Sequence, residues 1–295
     1  AADELNHRGH TVHVFEREDR IGGLMMYGIP NMKLDKAVIE RRRRLMEQEG
    51  VVFHTNTDIR SKKDADALRN EYDAVILCCG AKKARTLPGA DPSRIKGIYY
   101  AVDFLKSTTK SLLGTDDHTA EGLQRSGGFI NASGKNVIVV GGGDTACEEA
   151  MYLAGLAKEV HMIVRKPFLR ASVANRKRVE QTPNITIHYE TVTREILGDA
   201  SGVTGVRLDH NGEVFDMSLD GFFLAVGRHP NTEWLGGQLE LDDNGYIVSD
   251  GVLTSRPGVF VAGDVRNTDF RQAVTAAADG CRAALEAEKY LKNEI

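Results

Sequence analysis

Short apolar runs alternate with amphipathic stretches along most of this 295-residue chain. In the first part the apolar runs lie at 11–15, 51–54 and 74–78, and residues 34–49 have the spacing of an amphipathic helix. Runs of this length predict strands, and the helices between them predict a parallel sheet. The opening residues predict the last turns of a helix that ends at Gly9. The pattern therefore places the chain in the α/β class.

A second and more complete α/β pattern begins at Asn136. The apolar strand 137–140 enters the glycine loop 141–146, and a helix at 147–156 leads to the strand 160–164. This order predicts a complete βαβ unit, which is a common nucleotide-binding arrangement.

The remainder of the chain predicts first a β-rich region and then a return to strand and helix. Residues 185–226 are rich in strand formers, and Asn211-Gly212 predicts a hairpin turn between two of the strands. An apolar strand at 258–262 and a helix at 271–292 follow. Two nucleotide-domain patterns are therefore present, with one split around the other.

The length suits two domains, and the patterns predict two doubly wound, Rossmann-like domains. We expect residues 1–125 and 229–295 to form one split domain, and residues 126–228 to form the domain inserted into it. Residues 106–135 are polar and rich in Gly, Ser and Thr, which predicts a connection between domains.

Composition excludes several functional classes. Apolar residues make up 41% of the chain and charged residues 27%, and no apolar run is long enough to span a bilayer, so we expect a soluble protein. The net charge of −4 argues against a nucleic-acid-binding surface. The basic run Arg41–Arg44 is interpreted as a solvated helix face, with a binding patch as the alternative.

The four cysteines are not spaced for a redox pair or for zinc, and no metal site is predicted. Cys78 and Cys79 are adjacent in an apolar strand, so we expect buried, free thiols in a reducing compartment. The first residues predict polar helix rather than a secretory signal, which favours a cytoplasmic location.

The loop after the strand 137–140 has the pattern G-x-G-x-x-A, formed by Gly141, Gly143 and Ala146 around Asp144 and Thr145. Small residues there let the backbone and the helix N-terminus approach a pyrophosphate. Its place inside a βαβ unit makes the motif specific, and the alternative is a merely tight turn.

Basic residues stand where an NAD site would hold an acidic one, at the end of the second strand of this unit. Arg165, Lys166 and Arg170 suit a ribose 2′-phosphate, because a guanidinium can donate two hydrogen bonds to it. The pattern favours NADPH over NADH. Solvated loop charges are the alternative.

A non-phosphorylated adenosine ribose, as in FAD, is predicted for the split domain. Glu16 ends its second strand, where a carboxylate accepts hydrogen bonds from a ribose. Asp264 leaves a buried strand shortly before a helix and is placed to bind the ribityl hydroxyls of a flavin. The N-terminus of that helix could direct its dipole at the reduced isoalloxazine. The other candidate cofactor-binding residues are Arg17, Gly22, Gly23, Gly80, Gly227, Gly263, Arg271, Gln272 and Ala273.

The motifs resemble two families of flavoprotein. Residues 10–135 resemble the small subunit of NADPH-dependent glutamate synthase, most clearly in the stretches Gly22–Lys36 (GGLMMYGIPNMKLDK) and Ser126–Ile130 (SGGFI). From residue 136 onward the chain resembles bacterial thioredoxin reductase. The stretches that carry this second resemblance are Gly141–Asp144, Arg165–Arg170, Gly227–Thr232, Gly263–Val265 and Arg271–Ala277.

Both resemblances imply an NADPH domain inserted into an FAD domain, so a mosaic of the two is structurally plausible. They imply hydride transfer from NADPH to FAD, with no catalytic side chain required, and a redox protein as a further partner. The thioredoxin reductase resemblance suggests a homodimer. It also implies an inner domain that rotates, with hinges at 106–135 and near Gly227–Asn231.

The chain departs from both families. Thioredoxin reductases have a redox C-x-x-C before the strand at Asn136, and residues 127–135 contain no cysteine. The cysteine-rich, cluster-binding region of glutamate synthase small subunits has no counterpart here. Both families also begin with an apolar strand and a G-x-G-x-x-G loop that this sequence lacks. We interpret the opening as that of a truncated, incomplete or engineered chain, in which strands neighbouring the missing one would lack backbone partners.

These observations predict an FAD- and NADPH-dependent oxidoreductase whose electron acceptor the residues leave open. A second hypothesis is a non-catalytic NADPH-binding module or chimera that cannot hold FAD. A third is a true thioredoxin reductase, against which the absent cysteine pair argues.

Overall fold

Parallel strands covered by helices form most of the protein, as the alternating pattern predicts. A computed structural model describes residues 1–91, 94–114 and 129–293. The described residues divide into two compact units, of which the first combines Ala1–Lys83 with the residues from Arg228 onward and the second lies within Ala84–Gly227. One unit is therefore split in sequence around the other.

The second unit is built on a five-stranded parallel sheet with the strand order β5-β12-β6-β7-β8. Its strands are β5 (Ile98–Tyr100), β6 (Asn136–Val140), β7 (Glu159–Val164), β8 (Ile185–Tyr189) and β12 (Gly221–Leu224). Among the described residues, the helices that accompany it are α5 (Ala101–Gly114), α6 (Asp144–Ala154) and α7 (Val173–Glu180). A three-stranded antiparallel sheet consists of β9 (Thr191–Asp199), β10 (Gly202–His210) and β11 (Glu213–Ser218).

Alternate residues of β6 face two different cores, which explains why this strand is apolar throughout. Val137 and Val139 pack with the helices, in a cluster that includes Phe104 and Leu153. Ile138 packs on the other face, in a cluster with residues of the antiparallel sheet. A strand buried on both faces needs an unbroken apolar run.

The first unit contains two separate pairs of parallel strands. β1 (His13–Phe15) pairs with β2 (Val52–His54), and β3 (Val75–Leu77) pairs with β14 (Val259–Val261). No strand among the described residues joins one pair to the other. The helices of this unit are α1 (Ala2–His7), α2 (Gly23–Tyr27), α3 (Lys36–Gln48), α4 (Lys62–Glu71) and α8 (Ala273–Leu291).

Short elements complete the chain. The two-residue strands β4 (Lys83–Ala84) and β13 (Arg228–His229) pair with each other, and single 3-10 turns lie at Glu233–Leu235 and Gly263–Val265. The predicted hairpin turn is confirmed, since β10 and β11 pair antiparallel and Asn211 and Gly212 both have positive φ, 51° and 95°. No helix in the described part of the chain is long and apolar enough to cross a membrane.

One sequence-based prediction is wrong and the bounds of another change. The predicted connection between domains, 106–135, does not begin at residue 106, because residues 106–114 belong to α5 in the second unit, where Thr108, Thr109 and Ser111 are buried. Polar side chains at buried positions of a helix gave that stretch the composition of a linker. Residues 115–128 of the predicted connection and hinge lie outside the described residues.

Cys78 and Cys79 are free, as predicted, but both are exposed rather than buried. The reason is that β3 ends at Leu77, so both thiols follow the last residue that pairs with β14. Of the other two cysteines, Cys147 is buried and Cys281 is exposed.

The compact units also bear on the predicted domain limits. The described residues 84–114 belong to the second unit, because β5 pairs with β12 at the edge of its sheet. The predicted boundary between residues 125 and 126, and most of the SGGFI stretch, lie outside the described residues. The assignment of one cofactor to each domain stays a prediction.

Candidate functional site

The loop between β6 and α6 carries the glycine pattern of the second unit. Gly141 has a φ of 144°, and its N–H donates to the Ile163 carbonyl at 3.1 Å. A Cβ at Gly141 would stand 2.5 Å from the Ala225 oxygen and 2.9 Å from the Ala146 Cβ. Ala146 itself is fully buried. Residues 141 and 146 are therefore small because the loop packs against its own helix, α6, and against the residue that follows β12, the neighbouring strand of the sheet.

Gly143 is small for a different reason. It is the N-cap of the 11-residue helix α6, and no atom lies within 4 Å of the position that its Cβ would occupy. The first N–H groups of a helix have no intrahelical acceptor, and the helix dipole places positive charge there. With Thr145 exposed in the first turn, this open helix end is suited to an anion.

The basic residues lie on a loop that packs directly on the glycine loop. Arg165, Lys166 and Arg170 are all exposed. The Arg170 N–H donates to the Gly142 carbonyl at 2.7 Å, and a Cβ at Gly142 would stand 2.9 Å from Val164 Cγ1. The basic loop and the glycine loop are therefore in direct backbone contact in the second unit.

Asp144, which is exposed, links the glycine loop to the helix that follows the basic loop. Its Oδ1 accepts hydrogen bonds from the Ser172 N–H at 2.9 Å and from Asn175 Nδ2 at 2.7 Å. The carboxylate thus ties the start of α7, just beyond the basic loop, to the start of α6. Gly227, with a φ of 95°, is exposed beyond β12.

In the first unit, Glu16 follows β1 as predicted and is half-buried. Its N–H continues the ladder to the His54 carbonyl at 2.9 Å, and its Oε1 accepts from the Glu18 N–H at 3.0 Å. The carboxylate is thereby oriented beyond the end of the strand. Arg17 is exposed, and its Nε lies 3.9 Å from Glu18 Oε1.

Gly22, Gly23 and Gly80 adopt positive φ, 106°, 54° and 64°, which side chains rarely tolerate. Gly80 lies just beyond β3, close in sequence to Cys79. Solvent reaches Cys79, yet the protein atoms packed around its thiol raise the pKa to about 11, while the charges of Lys82 and Arg17 act in the opposite direction. Arg17 and the end of β3 are therefore close enough to interact electrostatically.

Asp264 lies in the turn that follows β14 and is partly buried. Burial raises the pKa of its carboxyl, and the nearby guanidiniums of Arg271 and Arg228 oppose that shift. Arg271 is itself held over the Tyr246 ring at 4.1 Å. Gln272 caps α8 in a reciprocal arrangement with Thr275. Since β3 and β14 are parallel, Gly80 and Gly263 leave the sheet at the same edge.

Comparison with known proteins shows which family this chain belongs to. Residues 1–280 match the model of the family described as pyridine nucleotide-disulphide oxidoreductase. The chain belongs to this family. The resemblance predicted from the motifs is thus confirmed.

The relatives include both kinds of protein that the motifs indicate. The glutamate synthase [NADPH] small chain of Bacillus subtilis is 35% identical over 332 residues, covering 99% of this chain and 65% of the relative. NADPH-dependent thioredoxin reductase 3 of Arabidopsis thaliana is 51% identical over 164 residues, covering 54% of this chain and 31% of the relative. The chain therefore spans less than two thirds of either relative.

A solved structure supports the fold. The thioredoxin reductase of Lactococcus lactis superposes with a TM-score of 0.78 at 24% identity, covering 99% of this chain and 94% of that one. At this identity the likeness concerns the fold alone. This member of the pyridine nucleotide-disulphide oxidoreductase family thus has the two-domain, Rossmann-like fold that the sequence predicts.

Sequence reasoning missed the buried charges of the first unit. Lys36 is only 3% exposed, and its Nζ donates to the carbonyls of Met25 at 2.8 Å and Ile29 at 2.6 Å. Burial lowers the pKa of this ammonium. Asp279 is buried against Arg266. The signal for Asp279 was its position four residues before Ala283 on the apolar face of α8, where a charge needs a partner.

Proposed function

We propose that this chain is an NADPH-dependent flavin oxidoreductase, which accepts hydride from NADPH in the second unit and passes it through FAD in the first unit to a further acceptor. Members of its family use these two cofactors. The observation that carries the proposal is the open N-terminus of α6 at Gly143, beside the exposed cations of the 165–170 loop. This arrangement offers donors for a pyrophosphate and for a phosphorylated ribose within one site.

The residues of the second unit would divide the nucleotide between them. The N–H groups at Gly143–Thr145 would receive the pyrophosphate, where the helix dipole favours negative charge. Arg165, Lys166 and Arg170 would bind the 2′-phosphate, because charge-assisted hydrogen bonds from guanidinium to phosphate are strong and directional. Asp144 would hold the glycine loop and the basic loop in a fixed relative position through its hydrogen bonds with Ser172 and Asn175.

In the first unit, two carboxylates that can accept hydrogen bonds suit the sugar hydroxyls of FAD. Glu16 would accept hydrogen bonds from the adenosine ribose, and Asp264 from the ribityl chain. The residues Arg271–Ala273, at the start of the 19-residue helix α8, would face the flavin ring and favour negative charge on it. Gly22, Gly23 and Gly80 would let the backbone approach the cofactor closely.

Hydride transfer between the two rings supplies the chemistry, and the protein's part is to bind, orient and exclude water. No general acid or base is required, so no catalytic side chain is assigned. The absence of a cysteine pair in residues 127–135 argues that electrons leave by a route other than a dithiol there.

The acceptor in this proposal is a redox protein, and NADPH-dependent reduction of thioredoxin is the assay that would restore the thioredoxin reductase hypothesis. A homodimer and a reducing, cytoplasmic setting belong to the same proposal. The four free cysteines suit such a setting.

A second candidate is a non-catalytic NADPH-binding module. The observation that favours it is that β1–β2 and β3–β14 form separate pairs in the described part of the first unit. Two separate strand pairs hold the residues assigned to FAD less firmly in place than one continuous sheet would, which favours a chain that does not retain the flavin.

Anaerobic titration with NADPH separates the two candidates. The purified protein, of verified intact mass, is loaded with FAD, and the flavin absorbance is followed as NADPH is added. Stoichiometric bleaching supports the oxidoreductase. Protein that binds NADPH but retains no flavin would identify the binding module.

A further inference from the structure

A single buried carboxylate holds both ends of the turn that carries Asp264. Asp279 Oδ2 accepts from the Gly263 N–H at 3.3 Å, where the turn begins, and from Arg266 Nε at 2.7 Å, where it ends. Asp279 Oδ1 accepts from Arg266 Nη2 at 3.2 Å. The ion pair is buried, with 15% of the Arg266 side chain and 7% of the Asp279 side chain exposed. Asp264 therefore lies within a loop that closes on one side chain of α8.

The packing around this ion pair leaves little freedom. Gly263 has a φ of 74°, and a Cβ there would stand 3.2 Å from the Ala276 Cβ on α8. On the other side of the turn, the Ile247 N–H donates to the Val265 carbonyl at 3.0 Å. The turn is thus fixed between α8 and the chain around Ile247.

We propose that Asp279, through Arg266 and the Gly263 N–H, is a positioning residue for the flavin: it sets the Asp264 carboxylate relative to the N-terminus of α8. Both Asp264 and that helix start are assigned to FAD in the proposed function, on which this inference rests. An error in their separation would misplace either the ribityl contacts or the ring, because a bound cofactor must satisfy both at once.

Stability alone does not require this ion pair. Replacing a buried pair with apolar residues of similar volume is often neutral or stabilising, whereas removing one partner leaves an unpaired buried charge. The ion pair differs from apolar packing in that it attaches the Gly263 N–H, and hence the start of the turn, to α8. Positioning and stability can therefore be separated by mutation.

The test compares three variants of the full chain. Asp279→Asn removes the charge and leaves Arg266 unpaired. Arg266→Met with Asp279→Leu replaces the pair with apolar side chains. Arg266→Lys keeps a cation and the carboxylate bond to Gly263. The matched control is Arg207→Met with Asp216→Leu, which removes an exposed ion pair in the second unit.

The measurements are the FAD dissociation constant, the NADPH dissociation constant and thermal unfolding. We expect FAD binding to weaken about tenfold or more in Asp279→Asn and in the apolar double variant, with NADPH binding unchanged. The apolar variant should nevertheless unfold at or near the wild-type temperature. Arg266→Lys should keep the FAD affinity within about threefold of the wild-type value. The surface control should change the dissociation constant of neither cofactor.

Two outcomes overturn the positioning role. One is an apolar double variant that recovers both stability and FAD affinity, which would make the pair structural only. The other is a folded Asp279→Asn variant that binds FAD as tightly as the wild type does. If Asp279→Asn does not fold, the double variant decides alone. Wild-type protein that binds no FAD at all overturns the proposed function and this inference with it, and the titration of the wild type alone identifies that outcome.

Discussion

The two units place their candidate nucleotide-binding residues in different ways. In the second unit one continuous stretch, 141–170, supplies the glycine loop, the helix start and the basic loop, and the sheet beneath it is five strands wide. In the first unit the candidate residues come from 16–23, from Gly80 and from 263–273, and the strands form two separate pairs.

This difference shows how much a site depends on distant contacts. The candidate residues of the second unit lie within one βαβ stretch, 141–170, in which the Arg170 N–H donates to the Gly142 carbonyl. The candidate residues of the first unit come from segments far apart in the chain, and this unit also buries charges in two places, at Lys36 and at Asp279 with Arg266. We therefore expect substitutions of exposed residues in the second unit to change binding without changing stability, whereas removal of a single buried charge in the first unit should change both.

The largest expected effect comes from two glycines of the same motif. Gly141→Ala places a methyl group 2.5 Å from a backbone oxygen at a φ of 144°, so it should destabilise the second unit by about 2–4 kcal/mol and abolish NADPH binding. Gly143→Ala meets open space and should leave stability unchanged while weakening NADPH about tenfold, because the methyl group would face the pyrophosphate. Far-UV circular dichroism during unfolding and NADPH titration measure the two effects. Equal loss of stability in both variants would show that the motif is merely a tight turn.

Lys36 offers the corresponding test of the first unit. Lys36→Met keeps the length of the side chain but leaves the Met25 and Ile29 carbonyls without their donor, which should cost roughly 2–3 kcal/mol. The chain has one tryptophan, Trp234, and it lies in the first unit, so its fluorescence during denaturation reports on that unit. The control is Lys63→Met, at an exposed position of α4, for which no change is expected. If the Trp234 fluorescence transition of Lys36→Met has the same midpoint as that of the wild type, this buried ammonium does not contribute to the stability of the first unit.

The choice between nicotinamide cofactors sharpens the comparison without altering the fold. Arg165→Gln combined with Arg170→Gln should weaken NADPH binding about 30-fold and leave NADH binding nearly unchanged. The reason is that only NADPH carries the 2′-phosphate that these side chains would bind. Lys177→Gln with Arg178→Gln, on the neighbouring helix α7, removes the same charge as a control. If the control pair weakens NADPH equally, the effect is one of general electrostatics rather than of specific contacts.

The sequence predicted most of the second unit and less of the first, for a physical reason. The strand β6 and the loop after it are specified by short-range features, namely an apolar run buried on both faces and glycines at fixed spacing. The helical nature of residues 106–114 could not be predicted, because Thr108, Thr109 and Ser111 are polar residues at buried positions. The exposure of Cys78 and Cys79 depends on where the pairing of β3 with β14 stops, which is a tertiary property.

The candidate site shows the same division. Gly141 and Gly143 were predicted together from one pattern, and only the structure separates the glycine that the fold needs from the one that leaves space for a ligand. Asp279 carried a weak signal, a charge on the alanine face of α8, but its partner Arg266 lies 13 residues away in a turn. Contacts of this kind have no periodicity to reveal them.

The smallest expected effect is a dependence of the second unit on pH. His161 Nδ1 lies 3.2 Å from His188 Nε2, and burial lowers the pKa of both rings, with Glu159 opposing the shift at His161 while His161 and His210 add to it at His188. Because the folded pKa lies below the unfolded value of about 6.5, the unfolded chain binds more protons as the pH falls. The stability of the second unit should therefore be full above about pH 6.5 and decline as the pH falls through the lowered pKa values.

The variant His188→Gln tests this pair directly. It removes one titrating group and the repulsion that the second proton would meet, so its unfolding should depend less on pH between about 7.5 and 5.5 than that of the wild type. Hydrogen exchange of the β7 and β8 amides measures the second unit alone, and Trp234 fluorescence in the same samples provides the internal comparison with the first unit. An identical loss of protection in wild type and variant would assign the acid sensitivity to other groups, such as the ion pairs of the antiparallel sheet.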